Sequence, residues 1–192
     1  LFFELAESLV QRGHQVSVIT RMPRYNLAAG TDLSKIPARE IIAGIKVRRM
    51  QTPPLARNIP IIRGFEHFIL GWLFFWGGLL EGEFDIVLSY SPPLPLCIAG
   101  YWIARLKKCK SVANIQDLYP QTVIDLGLLK NKFLIWVSKS MEKAIYHNSS
   151  ALTVHSEGNK EYVVSQGARH DKVIVMYNWV DTELIKPGPK SN

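Results

Sequence analysis

Asp117 closes an apolar run, SVANIQD (111–117), and is followed by Leu118, Tyr119 and Pro120. A carboxylate in that position suits holding a sugar hydroxyl or taking its proton; it equally suits capping a helix or turn. The segment SYSPPLPL (89–96) sets small polar side chains and backbone N–H groups just ahead of an apolar stretch. Such a turn fits an anionic or hydroxylated ligand. Its alternative is an ordinary strand-to-helix connection, with Ser91 as the cap and the prolines stiffening the first turn. Ser156, after ALTVH, reads as a site residue or simply as a helix start, and Asn178 follows KVIVMY. His155 lies inside its apolar run and reads as a core histidine, while the other four histidines show no metal-ligand spacing.

Apolar periodicity supplies the elements that must carry these residues. LFFELAESLVQRG places Phe2, Leu5, Ala6 and Leu9 on one helical face, with Gly13 as a left-handed stop. QVSVIT (15–20) alternates and reads as a strand, 21–43 as a loop, GIKVRRM (44–50) as a short strand and 52–60 as a loop with Arg57 and Arg63 nearby. FDIVLSY (84–90) reads as a central strand buried on both faces. Helices are expected over 65–80, 94–108, 132–148 and 157–167, and further strands over 111–117, 151–156 and 172–178. On the helix at 132–148, Leu134, Val137, Met141, Ala144 and Ile145 share a side. Strand and helix in turn imply a doubly wound, mostly parallel α/β sheet, a Rossmann-like fold with helices on both faces. In such sheets ligands sit outside the carboxyl ends of the strands, which selects the loops at Ser91, Gln116/Asp117, Ser156 and Asn178.

The segment 65–80 is apolar all round. From Phe68 to Leu80 no residue is charged, and Trp72, Phe75 and Trp76 fall within it. It is shorter than the ~20 residues that cross a bilayer. A helix of this kind is either wholly buried under the sheet or partly sunk in lipid. Tryptophans with basic residues nearby suit an anionic membrane interface, so Phe68, Trp72, Phe75 and Trp76 are read as membrane contacts. The basic cluster Arg105, Lys107 and Lys108 is read with them.

Composition narrows the classes. The 192 residues are 47% hydrophobic and 20% charged, which excludes disorder and fits one domain. Cys97 and Cys109 are too few for a disulfide framework or a four-ligand zinc site and fit a reducing compartment. The net charge is +7, and residues 1–64 hold ten basic against four acidic residues. That excess suits an anionic neighbour such as phosphate, nucleic acid or acidic lipid. No nucleic-acid-binding motif accompanies it. The chain opens mid-pattern, on a helix that feeds a strand, and KPGPKSN (186–192) reads as a linker. A piece of a larger protein is therefore expected.

The ordered set LFFELAESLVQRGHQVSVIT, DLYPQTVIDLGLLKN (117–131) and VHSEGNKEYVVSQG followed by KVIVMYNWVDTELIKPG resembles the family 4 (group 1) glycosyltransferases. Its middle part is similar to the branch that builds bacterial surface polysaccharide, including WbuB-like O-antigen transferases. The resemblance implies a GT-B arrangement of two Rossmann-like domains, retention of configuration, a nucleotide-sugar donor, and no metal or other cofactor. It implies that 1–180 is the acceptor-binding domain without its first strand, that 181–192 begins the interdomain linker, and that the donor-binding domain is absent. Asp117 would then orient the acceptor, Gln116, Tyr119 and the Ser91 loop would face the cleft, and Ser156 and Asn178 would line it toward the linker. Gln116 stands where the branch has Arg and many family members His; Tyr119 replaces its Trp and Gln121 its Glu.

Three functions follow. The first is transfer of a sugar to a lipid-linked saccharide, a polyprenyl-diphosphate carrier, at the cytoplasmic face of the bacterial membrane. The second is a non-catalytic membrane-surface binding module. The third, another Rossmann-type nucleotide-sugar enzyme, lacks a G-x-G-x-x-G.

Overall fold

A computed structural model describes residues 2–23, 27, 32–52, 60–180, 182, 186 and 188, with the side chains of 60–64 set aside. Arg57, the side chain of Arg63 and most of the linker expected over 181–192 lie outside the described residues.

The strands form two sheets. In the first, β1 (Ser17–Arg21) runs parallel to β3 (Ile45–Met50), and β2 (Arg39–Ile42) pairs antiparallel on the far side of β3. In the second, β4 (Ile86–Ser91), β5 (Lys110–Ile115), β6 (Ala151–Val154) and β7 (Val173–Val175) lie side by side and all parallel. The helices are α1 (Phe2–Gln11), α2 (Pro60–Leu79), α3 (Leu94–Leu106), α4 (Gln121–Asp125), α5 (Lys132–Asn148) and α6 (Glu157–Ser165). This alternation is the mostly parallel Rossmann-like α/β fold expected from the sequence.

Period-two alternation shows which face each helix covers. Val87 and Ser89 of β4 lie under α3, where a Cβ on Gly100 would meet Ser89 Oγ at 2.8 Å. Ala113, Ile115, Leu152, Val154 and Val173 share that face and are buried against Leu94, Cys97, Ile145, Tyr146 and Val163 of α3, α5 and α6. Burial of each such aliphatic side chain stabilises the fold by about 1.5–3 kcal/mol. Burial also pushes the Cys97 thiol up to about 12, against a hydrogen bond with Ser89, so it packs as a small apolar group. The opposite face of the sheet meets α1, whose Phe2 ring stacks on Tyr90 with centroids 5.0 Å apart. Helices thus flank the sheet on both sides.

Glycines let α2 and α3 approach closely. A Cβ on Gly71 would lie 2.9 Å from the Pro95 carbonyl oxygen, and one on Gly78 would lie 2.5 Å from Ile103 Cδ1. α2 also reaches the first sheet: Arg21 pairs with buried Glu66 at 2.8 Å, and Arg48 with Glu81 at 2.7 Å.

Several sequence expectations need correction. The loop expected over 21–43 contains a 3-10 turn at Leu33–Lys35 and the whole of β2. β2 joins β3 through Ala43 and Gly44, both left-handed (φ 49° and 79°), as a two-residue hairpin turn requires. Ala-Gly lacks the Asn-Gly or Asp-Gly signal that marks such turns, and β2 is too short to show its period. β4 is not buried on both faces. It is the end strand of its sheet, and Ile86, Leu88 and Tyr90, on the face away from α3, are exposed. α4 was not expected, because its single turn is too short to carry a periodic signal. On α5 the buried side chains are Glu142, Ile145 and Tyr146, so the inward face is rotated from the one read in the sequence, and Leu134 is exposed.

Candidate functional site

β5, β6 and β7 are parallel, so their carboxyl ends emerge together. A chain of neutral hydrogen bonds crosses those ends. Asn114, buried on β5, donates from Nδ2 to Thr153 Oγ1 on β6 at 2.8 Å. Gln116 Nε2 donates to Asn114 Oδ1 at 2.5 Å, and Asn178 Nδ2 donates to Gln116 Oε1 at 3.3 Å. The strand-end rule therefore brings Gln116 and Asn178 together, 62 residues apart in sequence. Asn114 and Gln116 each spend one donor and one acceptor on their neighbours, and Asn178 spends one donor. The exposed end keeps the Asn178 carbonyl oxygen and the second Gln116 N–H, a donor–acceptor pair suited to hydroxyl groups.

Asp117 is the next residue and is exposed. Its backbone carbonyl accepts the Tyr119 N–H at 2.8 Å, which turns the chain away from β5. Pro120, not Asp117, occupies the N-cap position of α4, so the carboxylate is not spent on capping that helix. It follows Gln116 directly in sequence and is an exposed acceptor, able to take a hydrogen bond or a proton from a hydroxyl. Tyr119 is half-buried and packs against the hydrophobic core.

Other positions are engaged differently. Ser91 lies at the same end of the sheet, and its carbonyl accepts the Gln116 N–H at 2.9 Å, tying β4 to the site. Its own Oγ is enclosed and has no partner, so its side chain is not on the surface. The backbone after Ser91, with cis Ser91–Pro92 and Pro92–Pro93 peptides, leads into α3, whose N-cap is Pro93. Ser156 caps α6, its Oγ accepting the Asn159 N–H at 3.1 Å, which is the plain reading of a helix start. His155 is half-buried, with Nδ1 enclosed and without a partner and Nε2 3.5 Å from Asn159 Nδ2.

Sequence reasoning missed Asn114 and Thr153. Their signal was a polar residue inside an otherwise apolar strand, and asparagine is depleted from strands. It also missed a second cluster, built on completely buried Glu142. Lys139 Nζ lies 3.0 Å from Glu142 Oε2, and Tyr146 and Tyr162 donate to Oε1 at 3.2 and 3.3 Å. Lys139 also donates to the Tyr162 hydroxyl at 2.8 Å. Burial lowers the Lys139 ammonium, but its hydrogen bonds to Tyr162 and Glu142 outweigh that and hold it above the ordinary lysine value. Burial, reinforced by the Glu142 charge, pushes the Tyr146 hydroxyl up.

Of the residues read as membrane contacts, Phe68, Trp72 and Trp76 are exposed on α2, while Phe75 is half-buried with its ring edge-on to Trp76. Arg105 and Lys108 are exposed. Lys107 is engaged within the fold: its Nζ donates to the Glu81 and Gly82 carbonyls at 2.8 and 2.9 Å and lies over the Phe84 ring. It closes the end of α2 and is not a free surface cation. Among the described residues no helix is long and apolar enough to cross a membrane, and no cluster of His, Cys, Asp and Glu could hold a metal ion.

A solved structure with a similar fold is sucrose-phosphate synthase from Thermosynechococcus elongatus, at 15% identity and a TM-score of 0.64, covering 96% of this chain and 43% of that one. Two structures of Anabaena HepE, one with UDP and glucose and one with UDP-glucose, match at 16% and 17% identity. Each covers 77% of this chain, and 35% and 34% of HepE, with a TM-score of 0.46. The chain thus spans less than half the length of the solved structures it matches, and its fold corresponds to one Rossmann-like half of a GT-B glycosyltransferase. No curated protein sequence matches it. The sequence profile of Glycosyltransferase Family 4 matches residues 1–184, nearly the full length, and the chain therefore belongs to that family.

Proposed function

We propose that this chain is the acceptor-binding half of a glycosyltransferase that moves a sugar, with retention, from a nucleotide sugar to a lipid-linked saccharide in surface-polysaccharide synthesis. Family membership supports the transferase chemistry. The observation that carries the site is the open end of the Thr153–Asn114–Gln116–Asn178 chain, with Asp117 exposed beside it. Neutral amide donors and acceptors next to one carboxylate match a sugar hydroxyl. The amides fix its position, and Asp117 accepts its hydrogen bond, so that the oxygen is aimed at the donor sugar. Donor nucleotide binding falls to a second domain.

The acceptor is placed on a lipid carrier because of the exposed Phe68, Trp72 and Trp76 stripe on α2 and the cations Arg105 and Lys108. Aromatic side chains beside cations suit the headgroup level of an anionic leaflet, here the cytoplasmic face of the bacterial membrane. The resemblance of DLYPQTVIDLGLLKN to the O-antigen branch supports the surface-polysaccharide assignment.

The test is transfer of labelled sugar from a nucleotide donor to a lipid-linked acceptor by the complete enzyme. Asp117→Asn is expected to lower kcat by about 10²–10⁴-fold. Activity equal to wild type would remove Asp117 from the site. The domain alone is expected to show little binding of nucleotide sugar by calorimetry; tight binding would favour a Rossmann-type nucleotide-sugar enzyme instead.

A further inference from the structure

The chain leaving Asp117 passes through α4 and enters a stretch whose large apolar side chains point outward. Leu126 and Leu128 are 67% and 75% exposed, and Phe133 and Trp136, in the first turns of α5, are 66% and 65% exposed. The last two rings stack with centroids 6.0 Å apart, which leaves one broad aromatic surface in water. The stretch is not frayed chain. The backbone N–H groups of Leu128 and Leu129 both bond the Val123 carbonyl, closing α4, and the Asn131 side chain accepts the Leu134 N–H at 3.1 Å, opening α5. The apolar groups are thus held outward by capped helices, and a held, exposed apolar patch marks a contact surface.

Two observations say what covers it. From Leu126 to Met141 there is no Asp or Glu, while exposed Lys130 and Lys132 sit among the apolar side chains. Lysine is depleted at protein–protein contacts, whereas lysine with tryptophan is the pattern of a helix lying at an anionic bilayer surface. Position is the second. α3 packs against both α2 and α5, so the rim helix and the aromatic helix share a neighbour. Trp136, like Trp72 and Trp76 of α2, is exposed.

The geometry points to the Leu126–Trp136 rim as a lipid-contacting surface that seats the Asp117 edge of the site on an anionic leaflet. This rests on the membrane reading above and extends it from α2 to the segment next to the site. Leu128, Phe133 and Trp136 enter the acyl boundary, and Lys130 and Lys132 meet lipid phosphates. A carrier-bound sugar diffusing in that leaflet then reaches Asp117 without leaving the membrane.

The test is flotation of the full chain with vesicles of equal parts phosphatidylglycerol and phosphatidylcholine at low salt. Wild type is compared with a rim variant, Leu128→Glu with Trp136→Glu, and an α2 variant, Trp72→Glu with Trp76→Glu. Unchanged circular dichroism and urea midpoint establish that each variant folds. The rim variant is expected to lose most of the floated fraction. A rim variant that floats like wild type, while the α2 variant does not, overturns this inference and leaves the membrane reading standing. A wild type that never floats overturns both; if it sediments as a dimer that the rim variant breaks, the patch is a contact between copies. As a second readout, Trp136 is made the sole tryptophan by Trp→Phe changes at 72, 76, 102 and 179. Its emission is expected to shift to the blue on vesicles, and an unmoved spectrum overturns the inference.

Discussion

The chain contains two polar clusters, and they differ in where they end. The Glu142 cluster is closed: one carboxylate is completely buried, and Lys139, Tyr146 and Tyr162 direct their polar groups at it or at one another. The Asn114 cluster is open. It begins in buried Thr153 and Asn114, passes through half-buried Gln116 and finishes at exposed Asn178, beside exposed Asp117. A cluster whose hydrogen bonds all return to the fold joins α5 to α6 and offers nothing to a ligand. One that leaves donors and acceptors at a strand end presents them to solvent or to a ligand. Charge alone would have pointed to the closed cluster, since the ionic one turns inward and the neutral one ends in solvent.

The largest effect that would sharpen this contrast is the loss of Glu142. Glu142→Ala breaks a buried ion pair, leaving the Tyr146 hydroxyl without its acceptor and Lys139 and Tyr162 with only each other, and is expected to cost about 3–5 kcal/mol in urea unfolding. A loss under 1 kcal/mol would mean that the cluster is not closed. Asn114→Ala comes next. It leaves Thr153 and Gln116 each short of a partner and is expected to cost about 1–3 kcal/mol. In the complete enzyme it is also expected to raise the acceptor KM more than it lowers kcat, because Gln116 loses its anchor; an unchanged KM would separate the network from the site. Ser156→Ala removes only a helix cap, at about 1 kcal/mol, with acceptor KM unchanged. A KM shift there would extend the site to α6.

The smallest effect is in pH. The folded-state value of Lys139 lies above the ordinary 10.5, so its contribution is fully present below that value and is lost as pH rises through the raised one. Tyr162 is raised by burial foremost, and it changes stability in the same direction. The urea midpoint is expected to stay level from neutral pH toward 10.0, the ordinary tyrosine value, and to fall beyond it, and Lys139→Met is expected to remove only the lysine part of that alkaline fall. A midpoint that drops near neutrality would show that the cluster titrates early and is solvated.

The carboxyl-end loops were legible from alternation alone, because a parallel sheet with crossover helices gathers its ligand-facing loops at one end. Gln116, Asp117 and Asn178 were therefore placed at that end of the sheet without knowledge of their contacts. Ser91 and Lys107 show the limit. Both sit where the pattern predicts, yet the Ser91 hydroxyl is enclosed and the Lys107 ammonium closes α2. Position along the chain says which end of the sheet a residue occupies, not which way its side chain turns. The rim at Leu126–Trp136 escaped notice because apolar residues at the start of α5 read as core in sequence, and only accessibility separates the two.

The sequence by itself determined the α/β class, the order of the main elements and the end of the sheet at which the candidate residues lie, since all three follow from local periodicity and chain connectivity. Tertiary structure alone decided the rest: the β2–β3 hairpin, the outward turn of one face of β4, the pairing of Asn114 with Thr153 and of Gln116 with Asn178, and the burial of Glu142. These depend on neighbours tens of residues away, and a side chain's role as core, cap or ligand is set by what lies across from it in space.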